Sequence, residues 1–234
     1  MALNKLKFNS LNVTPVASKA VGFNSSADGL TTVSGGSTVF IKKLTASSSS
    51  TLSFVDGSSS VVFDNTYKEY VFVFNNIHPS ADGAEFQFQC STDSGSSYGV
   101  TMTSTAGIGY HDEGDSYAAE SYDDSRDIAQ GTGFKILLRE IGSANDECGN
   151  GFLKIFNPSN TTFVKHFLAT GNYNRHSIGG NEGTEHRVCS GYFNTTSAID
   201  AIQFKMDTGT IDAVQFKFGA GTIDAGTITL YGIN

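Results

Sequence analysis

The sequence predicts an all-β fold, an antiparallel β-sandwich, and three observations carry that expectation. The C-terminal end is one 12-residue unit written three times, at residues 199–210, 211–222 and 223–234. Apolar and polar residues alternate in short runs: Ala84, Phe86, Phe88 and Cys90 interleave with Glu85, Gln87 and Gln89. A period of two marks a strand with one wet face. The composition agrees, with 18 Phe, 9 Tyr, no Trp, 26 Gly, only 3 Pro and 16% charged residues. Aromatic and β-branched side chains fit a pleated surface best.

Residues 1–36 are polar, with few periodic apolar positions, and read as an arm or a pair of edge strands. Residues 37–234 read as a single β-sandwich domain. Its first regular strand covers 38–44. A tract of four serines from Ser47 to Ser50 turns the chain into a strand at 51–55, and Asp56-Gly57 is a hairpin-type turn before a strand at 61–63. In 67–75, Tyr70, Phe72 and Phe74 alternate with Val71 and Val73, which predicts a central strand buried on both sides. The half-buried strand at 84–90 follows, then a Ser/Gly turn at 92–97 and a strand at 98–103.

From 104 to 131 the pattern lapses into an acidic stretch. It is too long for an ordinary connection and reads as a functional or packing loop, with a short helix possible at 117–130. Strands resume at 134–140, 151–157 and 161–169. A polar loop at 172–185 then leads to a strand at 187–193.

The repeat has an even period, so each copy keeps its side-chain face. Ile202, Phe204 and Met206 match Val214, Phe216 and Phe218, then Gly226, Ile228 and Leu230, all on the core side. Lys205, Lys217 and Thr229 take the opposite face. A Gly-containing turn ends each unit, so residues 199–234 read as a β-meander forming the terminal sheet.

The formal net charge of −8 repels nucleic-acid phosphates and anionic membranes, so neither nucleic acid nor membrane insertion is expected. The N-terminus lacks the apolar run of a signal peptide. With only three cysteines (Cys90, Cys148, Cys189), the chain reads as made in a cytoplasm.

His186 and Cys189, with Cys90 and Cys148, could complete a metal site, but buried free thiols are the better reading. Asp112, Glu113 and Asp115 have calcium-ligand chemistry without the 12-residue calcium-loop pattern. A solvated acidic loop is preferred, and no metal or cofactor is expected. Tyr98, Tyr110, Tyr117, Tyr122 and Tyr173 fall in or beside the irregular stretches. Tyr suits sugar and protein surfaces, and serves equally to plug the ends of a sandwich. The candidate binding residues on this loop face are Tyr110, Asp112, Glu113, Asp115, Tyr117, Tyr122, Asp124 and Tyr173. No catalytic residue is assigned.

The closing string Gly221-Thr222-Ile223-Asp224-Ala225-Gly226-Thr227-Ile228-Thr229-Leu230-Tyr231-Gly232-Ile233 resembles the ending of virion proteins of tailed bacteriophages, marine phages above all. The segments at 44–54, 67–77 and 86–95 are similar to that family as well. The resemblance implies a non-enzymatic, jelly-roll-like β-sandwich on the particle surface, a capsid decoration, head fibre or tail fibre subunit. It implies assembly as a homotrimer, contacts with other virion proteins and adhesion to a host-surface glycan. The extra Ile-Asp-Ala copies depart from the family's ending. The alternatives are a carbohydrate-binding module and, third, a polysaccharide depolymerase acting through Glu113 or Asp124.

Overall fold

A computed structural model describes residues 20–23, 26, 29–33, 38–212 and 227–233, and every regular element among them is a strand. The chain forms two compact units, Met1–Val39 and Phe40–Asn234. In the first, β1 (Ala20–Phe23) and β2 (Leu30–Val33) pair antiparallel, Ala20 opposite Val33.

The second unit is built from β3 (Thr38–Thr45), β4 (Thr51–Val55), β5 (Glu69–Pro79), β6 (Ala84–Ser91), β7 (Met102–Asp112), β8 (Ala118–Tyr122), β9 (Ile128–Gly131), β10 (Lys135–Ile141), β11 (Gly149–Phe156), β12 (Lys165–Ile178), β13 (Asn181–Phe193), β14 (Ala201–Met206), β15 (Ile211–Asp212) and β16 (Thr227–Ile233). One broad sheet runs β3-β16-β5-β11-β12-β13-β7, with β8 and β9 end to end on the far edge of β7. A second runs β10-β6-β14-β4 and joins the first through the single pair Ile141–Arg175. Every pairing with a recorded register is antiparallel.

The inner faces meet in an aromatic core, because each strand's apolar set shares one side of the pleat. Phe204 of β14 is its centre, its ring 5.5 Å from Phe72, 5.7 Å from Phe86, 6.3 Å from Phe54 and 6.4 Å from Phe88. Phe88 continues the contact to Phe167 and Phe193.

Several elements differ from the sequence reading. No strand forms at 61–63. The segment is a buried loop in which Phe63 N donates to Asp56 Oδ1 at 2.8 Å, and Val61 and Phe63 still reach the core. β5 is buried on one face only, with Val71 and Val73 half-exposed on the other. Gln89, on the face opposite Phe88 and Cys90, is nevertheless buried: its amide donates to the carbonyls of Thr132 and Gly133 at 3.0 and 2.9 Å. That satisfied amide is why a polar residue is tolerated there.

Residues 104–131 are not an irregular loop and contain no helix, because β7 runs on to Asp112 and β8 and β9 return along its edge. The 172–185 stretch is also strand. It forms the end of the β12–β13 hairpin, turned by Gly179 and Gly180 with φ of 62° and 101°. Polar residues are admitted because this part of the sheet has one face open to water and a charged interior.

The C-terminal copies do not lie side by side. β14, from the first, is inserted between β6 and β4, whereas β16, from the third, pairs with β5. The expected meander is therefore replaced by strands in opposite sheets. Phe204, Ile228 and Leu230 are buried as the alternation predicts. Phe216, Gly226 and the rest of the second copy after Asp212 lie outside the described residues, as does much of 1–36.

Candidate functional site

The predicted site residues divide among three environments. Asp112 is buried at the end of β7: its Oδ1 accepts from the amides of Ser116 and Tyr117 at 2.8 and 2.7 Å, and its Oδ2 accepts from Asn181 Nδ2 at 2.8 Å. The Tyr117 amide leads the bonds that hold its carboxyl below the usual range. It therefore fixes the turn into β8. Glu113, Asp115 and Tyr117 sit on that exposed turn, with the Tyr117 ring against Gly179 of the neighbouring hairpin. Tyr122 donates to Asp127 Oδ2 at 2.6 Å, which raises its phenol, and Asp124 lies exposed in the turn beyond.

Tyr173 corrects the reading of an exposed ring. It is buried, and its hydroxyl donates to Glu185. Burial first, then the Glu185 charge, pushes its pKa well above the ordinary value.

Tyr173 belongs to a charged interior that strand alternation does not predict. Glu185 and Arg187 are inward neighbours on β13, both 0% exposed. Arg175 Nη1 reaches Glu185 Oε2 at 3.0 Å, and Arg175 Nη2 reaches Glu140 Oε2 at 2.7 Å. Arg187 Nη1 bonds Asp123 Oδ2 at 2.9 Å. Arg126 joins Glu85 at 3.0 Å, while Lys135 Nζ donates to the Arg126 carbonyl at 2.6 Å.

Burial alone would raise the carboxyls of Asp123 and Glu140. The bonds from Ser125 and Arg187 to the first, and from Arg175 and Arg139 to the second, outweigh it and hold both low. Burial lowers Lys135. Each of these four carboxylates already faces a guanidinium, so the cluster works as a clasp joining β13, β10, β6 and the turn after β8.

The concave feature of this region lies on the other side of the sheet. Outward along β7 come Thr105, Gly107, Gly109 and His111. Gly109 is opposed by His186 of β13 on one side and by Glu120 of β8 on the other, and Gly107 by Val188 and Tyr122. Bare backbone between two rows of side chains makes a groove. Two concavities of about 520 and 510 Å³ share Gly109, Glu120 and His186; Tyr110, His111, Asn172 and Thr184 line the first, and Val188 the second. Each lies within the about 300–1,000 Å³ usual for ligand sites.

Of the predicted site, the groove borders only Tyr110, whose ring lies on the inner face with the Arg175 guanidinium 6.0 Å from its centre. The alternation Met102, Ser104, Ala106, Ile108, Tyr110 against Thr103, Thr105, Gly107, Gly109, His111 was the available signal, and it marks two unfilled outward positions. His186 faces outward and Cys189 inward, and among the described residues no three His, Cys, Asp or Glu are grouped to hold a metal. Among the described residues no helix is long and apolar enough to cross a membrane.

Comparison with protein-family models, with curated proteins and with solved structures finds no match for this chain.

Proposed function

We propose that this chain is a non-enzymatic structural subunit of a tailed-bacteriophage particle, displayed on the surface as a capsid decoration, head fibre or tail fibre. The strand order carries this reading. Strands β3, β16, β5 and β11 run in one sheet, and β4, β14, β6 and β10 in the other. The connections β3 to β4, β5 to β6, β10 to β11 and β14 to β16 each cross between sheets. We read eight strands so connected as the double Greek key of a jelly roll, an architecture used by viral capsid and lectin domains. The resemblance of residues 221–233 to phage virion endings supplies the assignment to a particle, which strand order alone does not.

The subunit acts by contact, as a homotrimer bound to other virion proteins. Washed particles of the encoding phage should contain the chain in many copies by mass spectrometry, and sedimentation of the purified chain should give three copies per particle. Its absence from washed particles removes the proposal, and a monomer at high concentration removes the trimer.

A carbohydrate-binding role is the second reading, whether as host adhesion by the virion subunit or as a separate module. The polar groove over β7 favours it.

A further inference from the structure

Gly107 and Gly109 sit in the interior of a strand, where glycine has no side chain to pack and weakens the element. Local geometry does not call for them. A Cβ on Gly107 would meet nothing nearer than the Val188 carbonyl at 4.0 Å, and one on Gly109 nothing nearer than Glu120 Cγ at 3.4 Å. Neither has the left-handed backbone that favours glycine. Gly183 and Gly191 on the adjoining strand contrast with them, since a Cβ there would collide with the backbone of β7 at His111 and Thr103. Mid-strand glycine beneath open space marks a place where another molecule approaches the backbone.

The groove walls define that molecule's chemistry. Among the described residues no Lys or Arg lines either concavity, and Glu120 is the one carboxylate. On a chain of net charge −8, this excludes a phosphate, sulfate or uronate ligand. Among the described residues nothing engages the Glu120 carboxylate. Asn172 Nδ2 is committed to Thr184 Oγ1 at 2.9 Å, which leaves its Oδ1 to accept. His186 Nε2 shares a 2.8 Å bond with Thr170 Oγ1, which leaves Nδ1 for a ligand. Acceptors spaced along a groove suit a chain carrying many hydroxyl donors. Val188, 48% exposed, gives an apolar wall for C–H groups.

We propose that the groove along β7 binds an uncharged oligosaccharide, laid over Gly107 and Gly109, with Glu120 accepting from adjacent hydroxyls and His186 and Asn172 fixing its register. This rests on the carbohydrate-binding reading and places it on the sheet face, away from the acidic turns at 113–117 and 123–127.

The test is titration of the full chain with cellohexaose, maltohexaose, chitohexaose and a sulfated hexasaccharide. Gly109→Val and Glu120→Gln are compared with wild type, and thermal melting checks their folding; valine suits a strand, so the glycine variant should fold. The expected result is binding of at least one neutral hexasaccharide, weakened about tenfold or more in both variants, in Glu120→Gln by loss of the charge on the accepting carboxylate and in Gly109→Val by a side chain filling the groove floor. Unchanged affinity in both variants overturns the groove and leaves the carbohydrate reading standing. No binding of any neutral probe by wild type, or preference for the sulfated one, overturns both.

Discussion

Arg187 Nη1 donates to Asp123 Oδ2 across 2.9 Å, and both side chains are buried. Nε and Nη2 of the same guanidinium are buried with no hydrogen-bond partner among the described residues. Removing one member of such a pair leaves the other charge stranded. Arg187→Met should therefore cost about 3–5 kcal/mol in urea unfolding, whereas the double change with Asp123→Leu should recover much of the loss. A cost below about 1 kcal/mol for Arg187→Met would show that the clasp is not needed.

Acid should undo the same clasp. The carboxyls of Asp123 and Glu140 are held below their ordinary values in the fold, and Asp93 is lowered to about 2, chiefly by the Ser91 hydroxyl and then by Ser97. A depressed folded-state value adds stability that is complete above the unfolded value and disappears as pH falls through the folded one. Stability should be level above the ordinary carboxylate range and decline from about pH 4 toward pH 2, as near-ultraviolet circular dichroism of the tyrosines would record. A flat profile down to pH 2 would contradict these carboxylate environments.

Phe204 touches four other phenylalanines from both sheets, so Phe204→Ala removes the centre of the core. The expected loss is about 3–5 kcal/mol by chemical denaturation. Exposed Phe163, 70% accessible, serves as the control, and Phe163→Ala should stay within about 0.5 kcal/mol.

The glycines of the β7–β13 pair should sort by what lies over them. Gly183→Ala pushes a methyl into the backbone of His111 and Asp112 and should lower stability by about 1–3 kcal/mol. Gly107→Ala meets open space and should be neutral or gain about 0.4–1 kcal/mol. Equal melting temperatures for the two would refute the packing described at Gly183.

Strand alternation made most of the fold legible. The pattern at 84–90 predicted β6 closely, and Phe204, Ile228 and Leu230 are buried as their spacing required. The 104–131 stretch misled because its inward positions hold Ser104, Ala106, Ile108 and Tyr110 above a charged interior, so the usual contrast between apolar and polar faces is weak. Arg187, Glu185 and Lys135 look like surface residues in sequence. Only long-range pairing brings Asp123 and Glu185 to Arg187, and composition cannot report it. Sequence spacing also could not place the repeat copies, since a 12-residue period fixes which face a strand presents but not its neighbour.

For the site, exposure was the hidden quantity. Tyr173 and Asp112 look like surface groups in sequence and are buried, while Gly107, Gly109, Glu120 and His186 acquire meaning only once three strands are in register.

The most direct measurement of the central proposal is immunogold electron microscopy of intact particles of the encoding phage, using antibody raised against residues 40–234. The account predicts regular gold labelling on the particle exterior, on the capsid for a decoration protein or along a fibre for a fibre subunit. Unlabelled particles, with the antigen confined to the soluble lysate, would contradict it.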